Sequence, residues 1–382
     1  MKLFDVYPLF NITPVKAEGC YVSDSEGNKY LDLYGGHAVI SIGHSHPHYV
    51  SLISEQLKKI GFYSNSIQNP LQQELADKLG KLSGYDDYQL FLCNSGAEAN
   101  ENAIKLASFV TGRKKFISYK KAFHGRTSAA VALTDNPKII APVNETENAV
   151  ILTFNDLQAT EAKLKSEQVA AIIIEGIQGI GGINIPDPHF LEGLKKLTEK
   201  YGSLLILDEI QSGCGRSGKF FAHQYTNVKP DIITVAKGMG NGFPIGGVLI
   251  HPEIKPWPGM LGTTFGGNHL ACAAGIAVLD VLENEKLIQN AEETGNYLMG
   301  KLAGISSEIQ IRGKGLMIGL EFPYPVSELR KKLLFEHKIF TGVSGQNMIR
   351  LLPPLSLKKV EADIFLKAFA KAFAEVSASL IK

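Results

Sequence analysis

Two short apolar segments that each end in an ionisable side chain constrain the fold more than any other feature of the sequence. Residues 204–208 read Leu-Leu-Ile-Leu-Asp, and residues 232–237 read Ile-Ile-Thr-Val-Ala-Lys. Short apolar runs of this kind are typical of buried strands in a parallel sheet. Ligands of open α/β sheets bind at the carboxyl ends of the strands, so we expect Asp208 and Lys237 to face one cleft.

A carboxylate and an amine in one cleft indicate a particular chemistry. A carboxylate can pair with a pyridinium nitrogen, and a lysine can form a Schiff base with a carbonyl compound. The alternative interpretation is that Asp208 caps a helix and Lys237 is a solvated loop charge. These two segments alone do not decide between the alternatives.

The composition narrows the class of protein. The chain has 382 residues, enough for two or three domains, and its 39 basic and 38 acidic residues give a net charge of +1. This balance gives no electrostatic case for nucleic acid or an anionic membrane as the main partner. Without a signal sequence or an apolar segment of roughly 18 residues, we expect a cytoplasmic protein with no membrane span. The four cysteines are widely spaced, which indicates reduced thiols rather than disulfides or zinc ligands.

Hydrophobic periodicity predicts an α/β fold with a mainly parallel, doubly wound sheet. Helical patterns over 70–82, 96–111, 188–201, 270–283 and 286–303 are interspersed with apolar runs at 89–93, 115–118, 149–153, 170–174 and 203–207. Residues 1–50 have the pattern of a small antiparallel sheet, and residues 307–382 that of an α+β unit. We therefore predict a large domain over 51–285, and a small domain formed by the N-terminal segment 1–50 with the C-terminal segment 286–382.

A polar motif follows the strand predicted at 89–93. Residues 94–100 read Asn-Ser-Gly-Ala-Glu-Ala-Asn, in which Ser95 and Glu98 have the spacing of a capping box. Gly96 would let the backbone approach a ligand at the start of the helix, where phosphates bind. The motif predicts either a phosphate site or a plain helix cap.

Two further segments carry side chains suited to binding. Residues 123–127 read Phe-His-Gly-Arg-Thr, where Phe123 could stack on a heteroaromatic ring and Arg126 could grip a carboxylate. A surface turn with a core phenylalanine is the alternative. Arg350 lies in an otherwise apolar strand, and a buried arginine needs an anionic partner from the protein or from a substrate.

Two further motifs, one typical of dinucleotide binding and one of metal binding, lack the neighbouring sequence that each function requires. Residues 213–218 match the Gly-x-Gly-x-x-Gly pattern of dinucleotide-binding proteins, but residues 219–231 are poor helix formers and the pattern requires a helix there. His44, His46 and His48 alternate as metal ligands can, but Pro47 and the absence of a local carboxylate or cysteine cluster favour a structured turn. We predict no metal site.

Taken together, the motifs resemble those of the class III, or ornithine-type, pyridoxal-phosphate aminotransferases of fold type I, most closely their N-acetylornithine branch. The similarity covers nearly the whole chain. The matching segments, in chain order, are 43–47, 94–100, 123–127, 208–218, 236–246 and 264–268.

The resemblance implies a role for each motif residue in binding pyridoxal 5′-phosphate. Lys237 would form the Schiff base with the cofactor and move protons, Asp208 would pair with the pyridine nitrogen, and Gln211 would contact the ring hydroxyl. Phe123 would stack on the ring. The phosphate group would be held by Ser95, Gly96 and Ala97, and by Thr264 of the neighbouring subunit. The expected assembly is therefore a homodimer.

The resemblance also implies substrate contacts. Arg126 would bind a carboxylate of the amino donor and Arg350 the α-carboxylate of 2-oxoglutarate, while Glu175 matches the first glutamate of a family motif. The second glutamate of that motif, which covers the arginine in ornithine-type relatives, is replaced by Ile180. His37 aligns with a residue that shapes the far end of the donor pocket.

The expected function is transfer of the δ-amino group of N-acetylornithine or N-succinylornithine to 2-oxoglutarate in arginine synthesis. The nearest alternative is an ornithine δ-aminotransferase, against which the absence of the second glutamate argues. A pyridoxal-phosphate aminomutase or epimerase and a non-catalytic binding module are more remote alternatives.

Overall fold

Fourteen strands form two sheets of seven strands each in the computed structural model, which describes residues 1–380. The strands are β1 (Pro14–Glu18), β2 (Tyr21–Asp24), β3 (Lys29–Leu33), β4 (Gln89–Cys93), β5 (Lys115–Tyr119), β6 (Ala149–Leu152), β7 (Val169–Glu175), β8 (Leu204–Asp208), β9 (Ile232–Val235), β10 (Gly246–Ile250), β11 (Gln310–Lys314), β12 (Met317–Glu321), β13 (Ile339–Ser344) and β14 (Met348–Leu351).

The helices fall mainly between these strands, as the periodicity predicted. They are α1 (Gly35–Ala38), α2 (Pro47–Lys59), α3 (Pro70–Ser83), α4 (Gly96–Thr111), α5 (Ser128–Ala132), α6 (Leu157–Ser166), α7 (Pro188–Tyr201), α8 (His269–Asn284), α9 (Leu287–Ala303), α10 (Ser327–Lys331) and α11 (Lys359–Leu380). No helix within residues 1–380 is both long and apolar enough to cross a bilayer.

The larger sheet has the strand order β4-β10-β9-β8-β7-β5-β6. Strands β9, β8, β7, β5 and β6 pair in parallel, and β10 pairs antiparallel with both β4 and β9. Every residue of β7 is buried, because successive side chains face helices on opposite sides. Ile173 packs in the core with α4, whereas Ile172 and Ile174 pack with α7. The predicted α/β class with a mainly parallel, doubly wound sheet is confirmed.

The smaller sheet has the order β1-β2-β3-β13-β14-β12-β11, so strands from both ends of the chain share it. Its parallel pair, β3 with β13, joins the N-terminal strands to the C-terminal ones. The strand β13 was not predicted, because its sequence Ile-Phe-Thr-Gly-Val-Ser has no clean alternation and contains Gly342. The domain boundaries at residues 50 and 285 remain a prediction.

The two rejected motifs take other structures. After Gly218 the chain forms only a short 3₁₀ turn, Ala222–Tyr225, where a dinucleotide fold would require a helix. The three alternating histidines bond three different carboxylates, one of them in β3 and the other two at the end of α8. The pairs are His44 with Asp32, His46 with Glu285 and His48 with Asp280. These pairs fasten the segment between β3 and α2 to the rest of the protein.

Candidate active site

A cavity of about 350 Å³ opens where strands β4, β5, β7, β8 and β9 reach their carboxyl ends. Cavities of roughly 300–1,000 Å³ are common for small-molecule sites. Most of the site residues predicted from the sequence line this cavity. They are Ser95, Gly96, Ala97, Phe123, Arg126, Glu175, Asp208, Gln211 and Lys237.

Asp208 is the last residue of β8 and is only 4% exposed. Its Oδ2 atom accepts hydrogen bonds from Asn100 Nδ2 at 2.7 Å and His124 Nδ1 at 2.8 Å, and its Oδ1 atom accepts one from the amide of Ile210 at 3.1 Å. A buried carboxylate must have such donors, because burial without them costs several kcal/mol. The three donors fix the direction in which the carboxylate faces the cavity.

The Asp208 carboxylate is supported by a second layer of hydrogen bonds. Thr234 in β9 donates its hydroxyl to Asn100 Oδ1 at 2.7 Å, and the Asn100 amide nitrogen also donates to the carbonyl of His124 at 2.7 Å. Asn100 is fully buried, as is Thr234. The sequence motifs predicted no role for Asn100, His124 or Thr234. A signal was available for Asn100, which stands one helical turn after Gly96 in the same motif.

Lys237 follows β9 with a backbone φ of 44°, in the left-handed region that is strained for a residue with a side chain. No residue within 1–380 accepts a hydrogen bond from its Nζ atom, and the side chain lines the cavity. Burial lowers the pKa of the Lys237 amine, and the nearby carboxylates of Asp208 and Glu175 partly oppose that effect. A lowered pKa leaves more of the neutral, nucleophilic amine.

Glu175 ends β7 directly beside Asp208 in the register of the sheet. Its Oε1 atom accepts a hydrogen bond from the amide of Phe123 at 3.1 Å, and its Oε2 atom accepts one from the amide of Gly179 at 2.9 Å. Burial raises the pKa of Glu175 to about 7. The carboxyl group thereby fastens the loop that carries Phe123 to the loop that leads to Ile180.

The N-terminus of α4 is both capped and open to an anion. Ser95 Oγ accepts from the amide of Glu98 at 3.2 Å, while Glu98 Oε2 accepts from the amide of Asn94 at 2.6 Å. The amides of Gly96 and Ala97 donate to no residue within 1–380 and lie at the positive end of a 16-residue helix dipole. The cap and the phosphate site, posed as alternatives, are therefore compatible.

Gly96 has a packing reason to be glycine. A Cβ atom at this position would lie 2.7 Å from Cγ2 of Ile210, the residue that donates to Asp208. The helix start can therefore approach the carboxyl end of β8 only without a side chain. Gly96 was predicted to let the backbone approach a ligand closely, and the packing of the helix against β8 requires a glycine there as well.

The side chain of Gln211 hydrogen-bonds two residues that were predicted to bind substrate, His37 and Arg350. Neither of these lines the cavity. Gln211 Nε2 donates to the carbonyl of His37 at 3.1 Å, and Gln211 Oε1 accepts from Arg350 Nη1 at 3.3 Å. His37 belongs to α1, whose residues Gly35–Ala38 all have positive φ. Thr264 is exposed in the turn before α8 and does not line this cavity.

The arginine side chains at the site have no acidic partner. Within residues 1–380 no carboxylate forms an ion pair with Arg126 or Arg350. Arg350 is 2% exposed, and its Nε atom donates to the carbonyl of Val343 at 3.1 Å. Ile180, the residue in place of the family glutamate, lines the cavity with 39% of its surface exposed.

Comparison with known proteins identifies the family. The family model described as "Aminotransferase class-III" matches residues 5–373. The chain belongs to the class-III aminotransferases. It is 41% identical to the acetylornithine aminotransferase of Bacillus subtilis, with 99% of each chain covered. It is 40% identical to that of Archaeoglobus fulgidus, over 94% of this chain and 95% of the relative.

Solved structures of class-III aminotransferases have the same fold. The ornithine aminotransferase of Toxoplasma gondii superposes with a TM-score of 0.92 at 30% identity, covering 98% of this chain and 92% of that one. The acetylornithine aminotransferase of Elizabethkingia anophelis superposes with a TM-score of 0.84 at 32% identity, covering 97% and 95%.

Class-III aminotransferases depend on pyridoxal 5′-phosphate, and the donors around the cavity fit this cofactor. The free amides of Gly96 and Ala97 suit the phosphate, and the fixed carboxylate of Asp208 suits the protonated ring nitrogen. The Lys237 amine is free to bond the cofactor's aldehyde carbon. The resemblance also assigned Gln211 to the ring hydroxyl, although its amide group already bonds His37 and Arg350.

Proposed function

We propose that this aminotransferase moves the δ-amino group of an N-acylornithine, acetylated or succinylated, to 2-oxoglutarate, giving the semialdehyde and glutamate in arginine synthesis. The acetylornithine aminotransferases that are 40–41% identical over 94% or more of the chain support this proposal. The ornithine aminotransferase of Toxoplasma gondii is 30% identical.

The observation that carries the choice of donor is the uncovered charge of Arg350. In ornithine-type relatives a glutamate covers the matching arginine, but here Ile180 occupies that position and no acid within 1–380 replaces it. Free ornithine carries an α-ammonium group, which two uncovered guanidinium groups would repel. Acylation removes that positive charge, so an N-acylornithine suits this cavity better.

Different residues of the chain have different roles in the proposed reaction. When bound, pyridoxal 5′-phosphate supplies a pyridinium ring that withdraws electrons from the reacting carbon. With the cofactor bound, Asp208 would hold a proton on the ring nitrogen, and the Lys237 amine would take the proton from the δ-carbon of the donor. Arg126 orients the donor through its α-carboxylate, and Arg350 orients 2-oxoglutarate. Phe123 would stack on the ring, and Glu175 holds the backbone of Phe123 in place.

We infer that the enzyme is a cytoplasmic homodimer in which Thr264 completes the phosphate site of the partner subunit. Thr264 is exposed and lies outside the cavity of its own chain. Beside it, the rings of Phe265 and Phe62 pack 5.3 Å apart although Phe265 is 59% exposed, which is unusual for a surface facing water. Sedimentation of the purified enzyme tests the dimer, and a monomer with full cofactor affinity would contradict it.

Steady-state kinetics test the proposed donor. We expect kcat/KM for N-acetylornithine or N-succinylornithine to exceed that for ornithine by at least about tenfold, with 2-oxoglutarate as the acceptor. Ornithine as the better donor would support an ornithine δ-aminotransferase. Turnover without any oxo acid would indicate an aminomutase or epimerase.

A further inference from the structure

Three successive residues of β13 bring two arginines and a tyrosine together behind the cavity. Arg330 Nη2 donates to the carbonyl of Thr341 at 3.0 Å, and Arg350 Nε donates to the carbonyl of Val343 at 3.1 Å. Between them, a Cβ atom on Gly342 would lie 2.6 Å from Cε2 of Tyr34. The tyrosine ring therefore lies on the backbone of Gly342, with one guanidinium group bonded to the residue on either side.

This cluster of Tyr34, Arg330 and Arg350 has more hydrogen-bond donors than acceptors. Arg330 Nε is buried and has no hydrogen-bond partner among residues 1–380. The remaining bond of Arg350 is to the neutral side-chain oxygen of Gln211 at 3.3 Å. Neither arginine forms an ion pair with a carboxylate within residues 1–380.

Two positive charges held close together are costly when no carboxylate within residues 1–380 forms an ion pair with either of them. Burial lowers the pKa of Arg350. The nearby Tyr34 hydroxyl and Glu175 carboxyl group oppose that effect, and the charge of Arg330 adds to it. Burial also lowers the pKa of Arg330. An arriving carboxylate would relieve the repulsion and satisfy the free donors, as guanidinium groups do best with carboxylates.

The cluster connects with the donor end of the cavity. The Tyr34 hydroxyl is 3.0 Å from Nε2 of His37, and the carbonyl of His37 bonds Gln211, which lines the cavity. We propose that Tyr34, Arg330 and Arg350 form a second carboxylate site, and that the preferred donor carries a carboxylate in its acyl group, as N-succinylornithine does. Arg126 would then hold the α-carboxylate, and the cluster the carboxylate of the acyl group.

This inference rests on the proposed function and selects within it. An acetyl group ends in a methyl group, which cannot satisfy a guanidinium donor. A succinyl group carries a carboxylate two methylene groups beyond the amide carbonyl, and Gln211, which lines the cavity, bonds Arg350 of the cluster. The same site would receive a carboxylate of 2-oxoglutarate in the other half-reaction, which explains why no acid in the described part of the chain pairs with it.

Single-turnover measurements of the donor half-reaction, without 2-oxoglutarate, isolate this site from the acceptor. We expect the holoenzyme to react with N-succinylornithine at least about tenfold more efficiently than with N-acetylornithine, because a charge-assisted hydrogen bond contributes more than a neutral one. In Arg330→Gln this preference should fall at least about tenfold, while the efficiency with N-acetylornithine changes less than about twofold. Arg330→Lys, which keeps the charge but loses the fork of donors, should be intermediate.

Lys331→Gln provides the matched control, because it removes one positive charge from the next residue of α10, where Lys331 pairs with Glu328 at the surface. The preference should be unchanged in this variant. A wild-type enzyme that reacts equally with both donors, or better with N-acetylornithine, overturns the inference even if Arg330→Gln does not fold. A preference that survives in a folded Arg330→Gln also overturns it. The proposed function fails separately, only if ornithine is the better donor than both acylated compounds.

Discussion

Asn100 donates a hydrogen bond of 2.7 Å to Oδ2 of Asp208 from the first turns of the helix whose N-terminus faces the cavity. One helix thus carries both the free amides suited to the phosphate and the amide that orients the carboxylate suited to the ring. Thr234 holds Asn100 in turn, from the strand that leads to Lys237. The relative positions of phosphate, ring nitrogen and lysine are therefore fixed by one buried hydrogen-bonded network.

Replacing Asn100 with alanine should weaken this network. We expect Asn100→Ala to lower kcat by roughly tenfold or more, because Asp208 loses a donor and Thr234 loses its acceptor, and each buried polar group left without a partner costs about 1–3 kcal/mol. The pH titration of the bound cofactor's absorbance should shift, which a purely structural role would not cause. Asn102→Ala is the matched control, since within residues 1–380 the Asn102 side chain bonds only the backbone of the same helix. Equal kinetics in both variants would contradict the assigned role.

Glu175 should make the protein less stable as the pH rises. Its pKa is raised in the folded state from 4.5 to about 7, so the folded protein binds this proton more tightly than the unfolded chain does. The free energy of unfolding should therefore fall between about pH 4.5 and pH 7, by roughly 3 kcal/mol from this group.

Urea unfolding of the cofactor-free protein at several pH values measures this slope. The free energy of unfolding of Glu175→Gln should depend less on pH over the same range, whatever its absolute value. The exposed residue Glu145 supplies a control, because Glu145→Gln should retain the wild-type slope. Parallel curves for wild type and Glu175→Gln would show that Glu175 does not titrate in this range.

The sequence predicted the larger sheet and most of the cavity lining because both follow from local patterns. Apolar runs that end in Asp208 and Lys237 place these side chains at one edge of a parallel sheet without further information. The order of motifs then supplied the family. The hydrogen bonds behind Asp208 could not be predicted, since they join residues 100, 124, 208 and 234 through tertiary contacts.

Gly96 tests how closely helix and sheet must approach. Gly96→Ala should lower the free energy of unfolding by about 1–3 kcal/mol, because its Cβ atom would lie 2.7 Å from Cγ2 of Ile210. Removing that contact in the double variant Gly96→Ala/Ile210→Ala should leave less destabilisation than the sum of the two single variants. Additive effects in urea unfolding would show that the two residues do not interact.

The residue at position 180 should affect how tightly Arg350 binds substrate carboxylates. The Ser344 hydroxyl donates to the carbonyl of Ile180 at 2.5 Å, and Arg350 bonds the neighbouring residue Val343, so position 180 lies near the guanidinium group. We expect Ile180→Glu to raise KM for 2-oxoglutarate and to increase the efficiency with ornithine relative to N-acylornithine by about tenfold. A glutamine is similar in size to a glutamate but uncharged, so Ile180→Gln should change neither KM for 2-oxoglutarate nor the relative efficiency with ornithine. If both variants behave alike, charge at this position is not the cause.

The smaller sheet shows where the sequence patterns were insufficient. The strand β13 lacks clean alternation, yet it pairs in parallel with β3 and provides the carbonyl groups that hold Arg330 and Arg350. Arg330 therefore had no signal in the sequence, being one of several basic residues in a short amphipathic helix. Its position depends on a strand pairing across some 300 residues of chain, which local patterns do not encode.

Direct competition between donors tests whether the enzyme prefers an N-acylornithine to ornithine. Equal concentrations of N-acetylornithine, N-succinylornithine and ornithine compete for the enzyme with 2-oxoglutarate in excess, and mass spectrometry follows the loss of each donor. The ratio of their rates gives the ratio of kcat/KM directly. We predict that an acylated donor is consumed at least about tenfold faster than ornithine. Consumption of ornithine ahead of both acylated donors would show that the proposed donor is wrong.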